Sequence, residues 1–182
     1  HHLLGTHPPM SQAALVIRAM TEADWSAFFP VFRAIVNEGE TYAYPPFDDR
    51  DTALASSWWF DAGSGGPSIT VVAVDPSSGA ILGSAKSGPN RPGRGAHVAT
   101  ASFMVAPTAQ GRGVGRALGR WVLAWAAEQG YAAIQFNAVV QTNTAAIALW
   151  QELGFRIIGT VPAAFDSARH GRVGLHVMHR EL

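Results

Sequence analysis

Apolar residues recur along this chain with two spacings, and the switches between them divide it into elements. A short apolar run from Leu15 to Arg18 reads as a strand. Thr21 then offers a helix N-cap, and Trp25, Phe28, Phe29, Phe32 and Ile35 follow at helical intervals. Pro45 and Pro46 push the backbone toward extended conformations, so residues 39–47 read as a loop and Asp48 to Phe60 as a second helix. The period then changes. Ser68 to Val74 is a β-branched run, residues 75–79 a tight turn, and Ala80 to Ser87 a partner run, which together predict a β-hairpin. Residues 88–95 carry too much glycine and proline for regular structure, and His97 to Val105 predicts a third antiparallel strand.

Beyond Pro107 a glycine-rich turn opens a helix from about Gly113 to Gln129, with Leu118, Trp121, Val122, Trp125 and Ala126 on one face and Gly130 as its stop. Tyr131 to Val139 reads as a strand. Asn143 caps a further helix closed by Gly154, and Phe155 to Val161 and Val173 to His179 supply two last strands. The order βααβββαβαββ predicts an α+β fold bordering on α/β: a seven-stranded mixed sheet with helices on both faces.

Composition narrows the function. The chain has 182 residues, 48% of them apolar, enough for one core, so residues 10–182 are expected to form a single domain. His1 to Pro9 read as an expression tag and linker, with Met10 as the natural start. Thirteen basic residues balance thirteen acidic ones, and only 14% of residues are charged, which argues against nucleic acid or an anionic membrane as main partner and for a small molecule. No run reaches the ~18 consecutive apolar residues of a membrane span, and no export signal follows Met10, so the cytoplasm is the default compartment. Cysteine is absent, which excludes disulfides, a thiolate nucleophile and cysteine-ligated metals. His176 and His179 are three apart on a predicted strand and so face opposite sides, and no metal site is expected.

The most informative segment is Gln110-Gly111-Arg112-Gly113-Val114-Gly115-Arg116, between a strand and the start of a long helix. Backbone N–H groups at a helix N-terminus lack intrahelical partners, so a phosphate can accept several of them with the helix dipole favouring its charge. Glycine at 111, 113 and 115 removes Cβ atoms from that approach, and Arg112 and Arg116 add charged donors. A turn that merely lets strand and helix pack closely is the alternative. No Gly-Lys-Ser/Thr triplet occurs, which excludes a Walker loop. The dinucleotide fingerprint fails as well, its third glycine falling on Arg116 or on Leu118.

Gln110 to Gly115 resembles the Gln/Arg-x-x-Gly-x-Gly/Ala signature of the GNAT superfamily of N-acetyltransferases. Asn143 to Phe155 resembles that family's Asn-x-x-Ala-x-x-Leu-Tyr-x-x-x-Gly-Phe motif, in the expected order. The resemblance spans roughly Leu15 to Leu182, with the N-terminal half similar by layout more than by residues. It implies a GNAT fold with acetyl-CoA as donor, and a sheet that splays between the strands ending at Val105 and starting near Tyr131. Phe103, Met104 and Val105 would pair with pantetheine like an added strand. Gln110, Gly111, Arg112, Gly113, Val114, Gly115 and Arg116 would take the pyrophosphate, and Asn143, Ala146 and Trp150 would border the thiol end. Asn143 also reads as a plain N-cap and Trp150 as core.

The family transfers the acetyl group directly to an amine, which must first lose a proton, and the oxyanion needs a donor, here the N–H of Met104 or Val105. Glu40, in an aromatic loop, is the expected base, and His97 the second. Trp150 stands where the family often has a tyrosine that protonates the leaving thiolate; an indole N–H can only donate a hydrogen bond. Asn137 is an amide in an apolar run, costly unless a substrate or the backbone pairs with it. The segment Phe136 to Asn143 resembles that of acetyltransferases acting on proline analogues and, more loosely, on phosphinothricin-like amino acids. A small amino acid or analogue is therefore the favoured acceptor, bordered by Tyr42, Tyr44, Trp58 or Trp59, Asn137 and the loop 164–170 with Phe165. A possible homodimer, a catalytically silent acyl-CoA-binding module and a protein or peptide N-acetyltransferase are the further readings.

Overall fold

The computed structural model describes residues 14–45, 58 and 67–182. The tag-like start and, Trp58 excepted, the expected second helix at 48–60 lie outside the described residues. The described elements are β1 (Val16–Ala19), α1 (Glu22–Glu38), β2 (Ile69–Val74), β3 (Ile81–Pro89), β4 (Val98–Val105), α2 (Val114–Glu128), β5 (Ala133–Val140), α3 (Thr144–Glu152), β6 (Arg156–Ser167) and β7 (Gly171–Glu181).

Helix α1 starts at a capping box: the Asp24 N–H donates to Thr21 Oγ1 at 3.2 Å, and the Thr21 N–H donates to Asp24 Oδ2 at 2.8 Å. The Arg18 guanidinium lies 2.5 Å from the same carboxylate, and these donors lower the Asp24 pKa to about 2. Gly39 ends the helix in the left-handed conformation, φ 73°.

The strands form one seven-stranded sheet in the order β1-β2-β3-β4-β5-β7-β6. Every pairing is antiparallel except β4–β5, which is parallel, so the sheet is mixed. Helices cover both faces, because alternate residues of each strand point to opposite sides. Val71 joins Leu118, Val122, Phe136 and Trp150 beneath α2 and α3, whereas Val72 joins Trp25, Phe28, Phe32, Trp58 and Met104 beneath α1.

One expectation is corrected here. The last hairpin is longer than the apolar pattern suggests: β6 runs through Pro162 to Ser167, leaving only residues 168–170 as a turn. Proline is tolerated because β6 is the outermost strand, where one side of the backbone needs no ladder partner. Two register irregularities and Ala163 at φ 50° absorb the change of direction. Among the described residues no helix is long and apolar enough to cross a membrane.

Candidate active site

The site begins where β4 and β5 part. They are bridged only at Val98–Ala133 and Ala99–Ile134, and then diverge. Alternation along an antiparallel strand decides which backbone groups this leaves free. Ala106 N–H donates to the Leu82 carbonyl and the Val98 carbonyl accepts from Asn90, so even-numbered residues of β4 face β3. The His97 carbonyl accepts from Ala132 on the β5 side, so odd-numbered residues face the gap. Phe103 and Val105 therefore present N–H and C=O groups to the opening. Met104 does not: its backbone faces Ser84 of β3, which removes it both from the ligand edge and from the choice of oxyanion donor.

The opening leads to the N-terminus of α2. Gly113 is the N-cap and supplies no side-chain bond to the helix; the first intrahelical bond at this end runs from Ala117 N–H to the Gly113 carbonyl at 3.0 Å. The N–H groups of Val114, Gly115 and Arg116 are thus left to the cavity. Gly111 and Gly113 have φ of 80° and 77°, and a Cβ added at either would meet nothing within 4 Å, so backbone conformation rather than crowding requires glycine there. Gly115 is different: a Cβ would come within 3.3 Å of Leu149 of α3.

The two arginines diverge. Arg116 borders the cavity and pairs with Glu152 of α3 at 2.6 Å. Arg112 is not part of the cavity wall; its guanidinium lies 3.2 Å from Asp75 in the β2–β3 turn. The helix starts only at Val114, so the four-residue spacing places no common face under both. Asp75, bonded first by the Ser77 hydroxyl and N–H and then by Arg112, has its pKa lowered to about 2.

The cavity has a volume of about 890 Å³ and runs from Gln110 and the α2 N-terminus, between β4 and β5, to the loop after α1. Asn143 and Ala146 border it, and Asn143 is at the same time the α3 N-cap, accepting from the Ala146 N–H at 3.4 Å. Trp150 is both wall and core: only 6% exposed, it lies 4.6 Å from the Phe103 ring and 5.0 Å from Phe136. At the far end stand Tyr42, Tyr44 and Phe165. Trp58 does not join them. It is fully buried, its indole N–H donating to Ser84 Oγ at 2.9 Å, and Trp59 lies outside the described residues.

Glu40 lies outside the cavity wall. Its carboxylate accepts from the Ser167 hydroxyl at 2.7 Å and from the Arg169 N–H at 2.8 Å, and these donors hold its pKa below the ordinary value. With the bond from Ala168 N–H to the Gly39 carbonyl, it fastens the loop after α1 to the β6–β7 turn. His97 is also away from the site, because the parallel pair β4–β5 is closed at its N-terminal end, where His97 stands exposed. Asn137 borders the cavity, but the premise that it is a costly buried amide fails. β5 is irregular between Phe136 and Val139, and Asn137 is exposed, donating to Asn90 Oδ1 at 2.6 Å and accepting from Gln135 Nε2 at 2.9 Å.

Two features escaped the sequence reading. Glu38, in the last turn of α1, is part of the cavity wall, and its Oε1 lies 4.0 Å from the Arg169 guanidinium. Helical spacing from Ile35, which also lines the cavity, could have found it. The Tyr42 hydroxyl accepts from the Phe103 N–H at 2.9 Å and donates to the Phe103 carbonyl. No local signal links residues 61 positions apart.

A sheet edge opened beside an uncapped helix start is the arrangement of an acyl-CoA transferase fold, and residues 19–155 match the model of the acetyltransferase (GNAT) family. The chain belongs to that family, whose members are acyltransferases using acetyl-CoA as donor. It is similar to a GCN5-related N-acetyltransferase from Kribbella flavida, at 59% identity and TM-score 0.86, covering 93% of this chain and 98% of that one. It is also similar to a phosphinothricin acetyltransferase from Sinorhizobium meliloti in complex with acetyl-CoA, at 26% identity and TM-score 0.75 over 92% and 88% of the two chains. A ribosomal-protein-alanine N-acetyltransferase from Brucella melitensis shows 28% identity and TM-score 0.77 over 92% and 100%. The chain spans less than half the length of the curated relatives it matches.

Proposed function

We propose that this protein transfers the acetyl group of acetyl-CoA to the amine of a small molecule, an amino acid or an analogue of one. The observation that carries this reading is the continuous path from the gap-facing edge of β4, where Phe103 is met by the Tyr42 hydroxyl alone and Val105 faces the opening, to the N–H groups at the start of α2 that make no helical bond. Pantetheine pairs with that edge at Val105 as an added strand would, and the thioester reaches Phe103. The pyrophosphate takes the N–H groups of residues 114–116, with Gln110, Gly111 and the Arg116 side chain around it. Asn143, Ala146 and Trp150 border the thiol end.

The acceptor enters at the aromatic end, among Tyr42, Tyr44, Phe165 and Asn137. Its amine must arrive neutral, because an ammonium has no lone pair. In this reading the proton leaves toward Glu38, which is on the cavity wall, 4.0 Å from the Arg169 guanidinium, whereas both oxygens of Glu40 accept hydrogen bonds outside the wall. The buried Trp150 supplies no acid, so the thiolate departs without protonation by that side chain, which a thiol of pKa near ~8.5 permits.

The likeness to the phosphinothricin acetyltransferase supports an amino-acid-like acceptor, and the likeness to the ribosomal-protein-alanine enzyme supports a protein N-terminus as the second reading. A homodimer fits either. The outer strand β6 leaves Ile158 and Val161 about half exposed, a surface suited to a second copy. Incubation with acetyl-CoA and a panel of amino acids, their analogues, polyamines and N-terminal peptides, following free thiol, tests the reading. Thiol release with an amino acid or analogue is expected. Release with peptides alone would overturn the small-molecule acceptor, and binding without release from any amine would indicate a silent acyl-CoA-binding module.

A further inference from the structure

The Tyr42 phenol oxygen occupies the place where a ligand oxygen would meet β4. It accepts from the Phe103 N–H and donates to the Phe103 carbonyl, taking the same two groups that an added strand would take. The N–H direction is fixed by the sheet, but a hydroxyl turns its single proton about the C–O bond. The ring itself has little room: it stacks on Tyr44 at 6.1 Å between centroids and meets Trp58 edge-on at 6.0 Å. A thioester oxygen arriving at the Phe103 N–H therefore displaces the phenol oxygen only slightly and leaves it alongside.

We propose that Tyr42 is a catalytic residue: its hydroxyl and the Phe103 N–H together form a two-donor site for the thioester oxygen of acetyl-CoA. This rests on the donor site assigned above. The amine lone pair forms the new C–N bond as the carbonyl π pair moves onto oxygen, where the two donors hold it. The pair returns as the C–S bond breaks, the thiolate leaves with the bonding electrons, and the extra proton on nitrogen passes to water, Glu38 having taken the proton that made the amine neutral. Tyr42 turns its proton from the Phe103 carbonyl toward the thioester oxygen and gives it to nothing. Burial supports this role by raising the phenol's pKa, which keeps it a neutral donor.

The test is the isotope-edited infrared carbonyl band of [1-13C]acetyl-CoA bound to the full chain, with calorimetry beside it. In the wild type the band should lie below that of the free thioester, and Tyr42→Phe, which keeps the ring, should return it part of the way. Turnover with the best amine of the panel should fall about tenfold or more, while the dissociation constant for acetyl-CoA stays the same or tightens. As a second variant, 3-fluorotyrosine at position 42 keeps both ring and hydroxyl and, as a stronger donor, should lower the band further. A band that moves in neither variant overturns the inference, as does unchanged turnover in Tyr42→Phe. If the wild type gives no heat with acetyl-CoA, the donor site falls and the inference with it; heat with an unmoved band removes the inference alone.

Discussion

The two ends of the cavity are built from different material. At the end proposed for the donor the groups offered are backbone: the edge of β4 at Phe103 and Val105, and the amides opening α2 at residues 114–116. At the end proposed for the acceptor they are side chains gathered from distant parts of the chain, with Tyr42 on Phe103 and Asn137 on Asn90, and Glu40 behind them fastening the loop to Ser167 and Arg169. A backbone site depends on conformation and tolerates most side chains outside a few glycines. A side-chain site changes with each substitution. On the reading proposed above, the donor end can serve a whole family while the acceptor end sets what each member modifies.

Glycine substitution is the strongest way to break this contrast. Gly113 and Gly79 have nearly the same left-handed φ, 77° and 74°, and neither has a neighbour within 4 Å of its Cβ position. Valine at either position meets the same backbone strain, of order 1–3 kcal/mol. Gly113→Val should weaken acetyl-CoA binding by about tenfold to a hundredfold, because the strain falls on the turn that aims the α2 amides. Gly79→Val, in the β2–β3 turn, should lower the melting temperature and leave the dissociation constant unchanged. Equal effects on binding would mean that the conformation at residue 113 has no special part in holding the donor.

Glu38 and Glu40 sharpen the contrast at the other end. Glu38→Gln should reduce transfer at neutral pH by about tenfold, with the deficit shrinking at high pH as the free amine loses its own proton. Glu40→Gln should leave the shape of the pH–rate profile unchanged and lower the melting temperature instead. The sign of its pH dependence follows from the lowered pKa of Glu40 in the folded chain. Its contribution to stability is present above the unfolded carboxylate value near ~4.3 and is lost as pH falls through the folded value. The melting difference between wild type and Glu40→Gln should therefore be full at neutral pH and vanish in acid. A changed pH–rate profile in Glu40→Gln alone would return the role of base to that residue.

The same division explains what was legible in the sequence. The described strands and helices, the cap at Thr21 and the glycine-rich opening of α2 follow local patterns, and, the far end of β6 apart, they appear in the fold within about two residues of their expected positions. What failed was non-local. The exclusion of Met104 depends on pairing parity with β3, and the isolation of His97 on which end of a parallel pair is closed. Asn137 is turned outward by an irregularity in β5, and Arg112 is drawn to an aspartate 37 residues earlier. None of these follows from spacing along one segment, and the extension of β6 past Pro162 required knowing that it is an edge strand.

The most direct test is a 1H–15N titration of the full chain with acetyl-CoA, read amide by amide. The backbone path predicts the largest shifts at Phe103, Val105, Val114, Gly115 and Arg116, with Met104 moving little because its N–H remains on β3. Shifts that spare the α2 amides, or that fall on Met104 as strongly as on its two neighbours, would contradict the assignment.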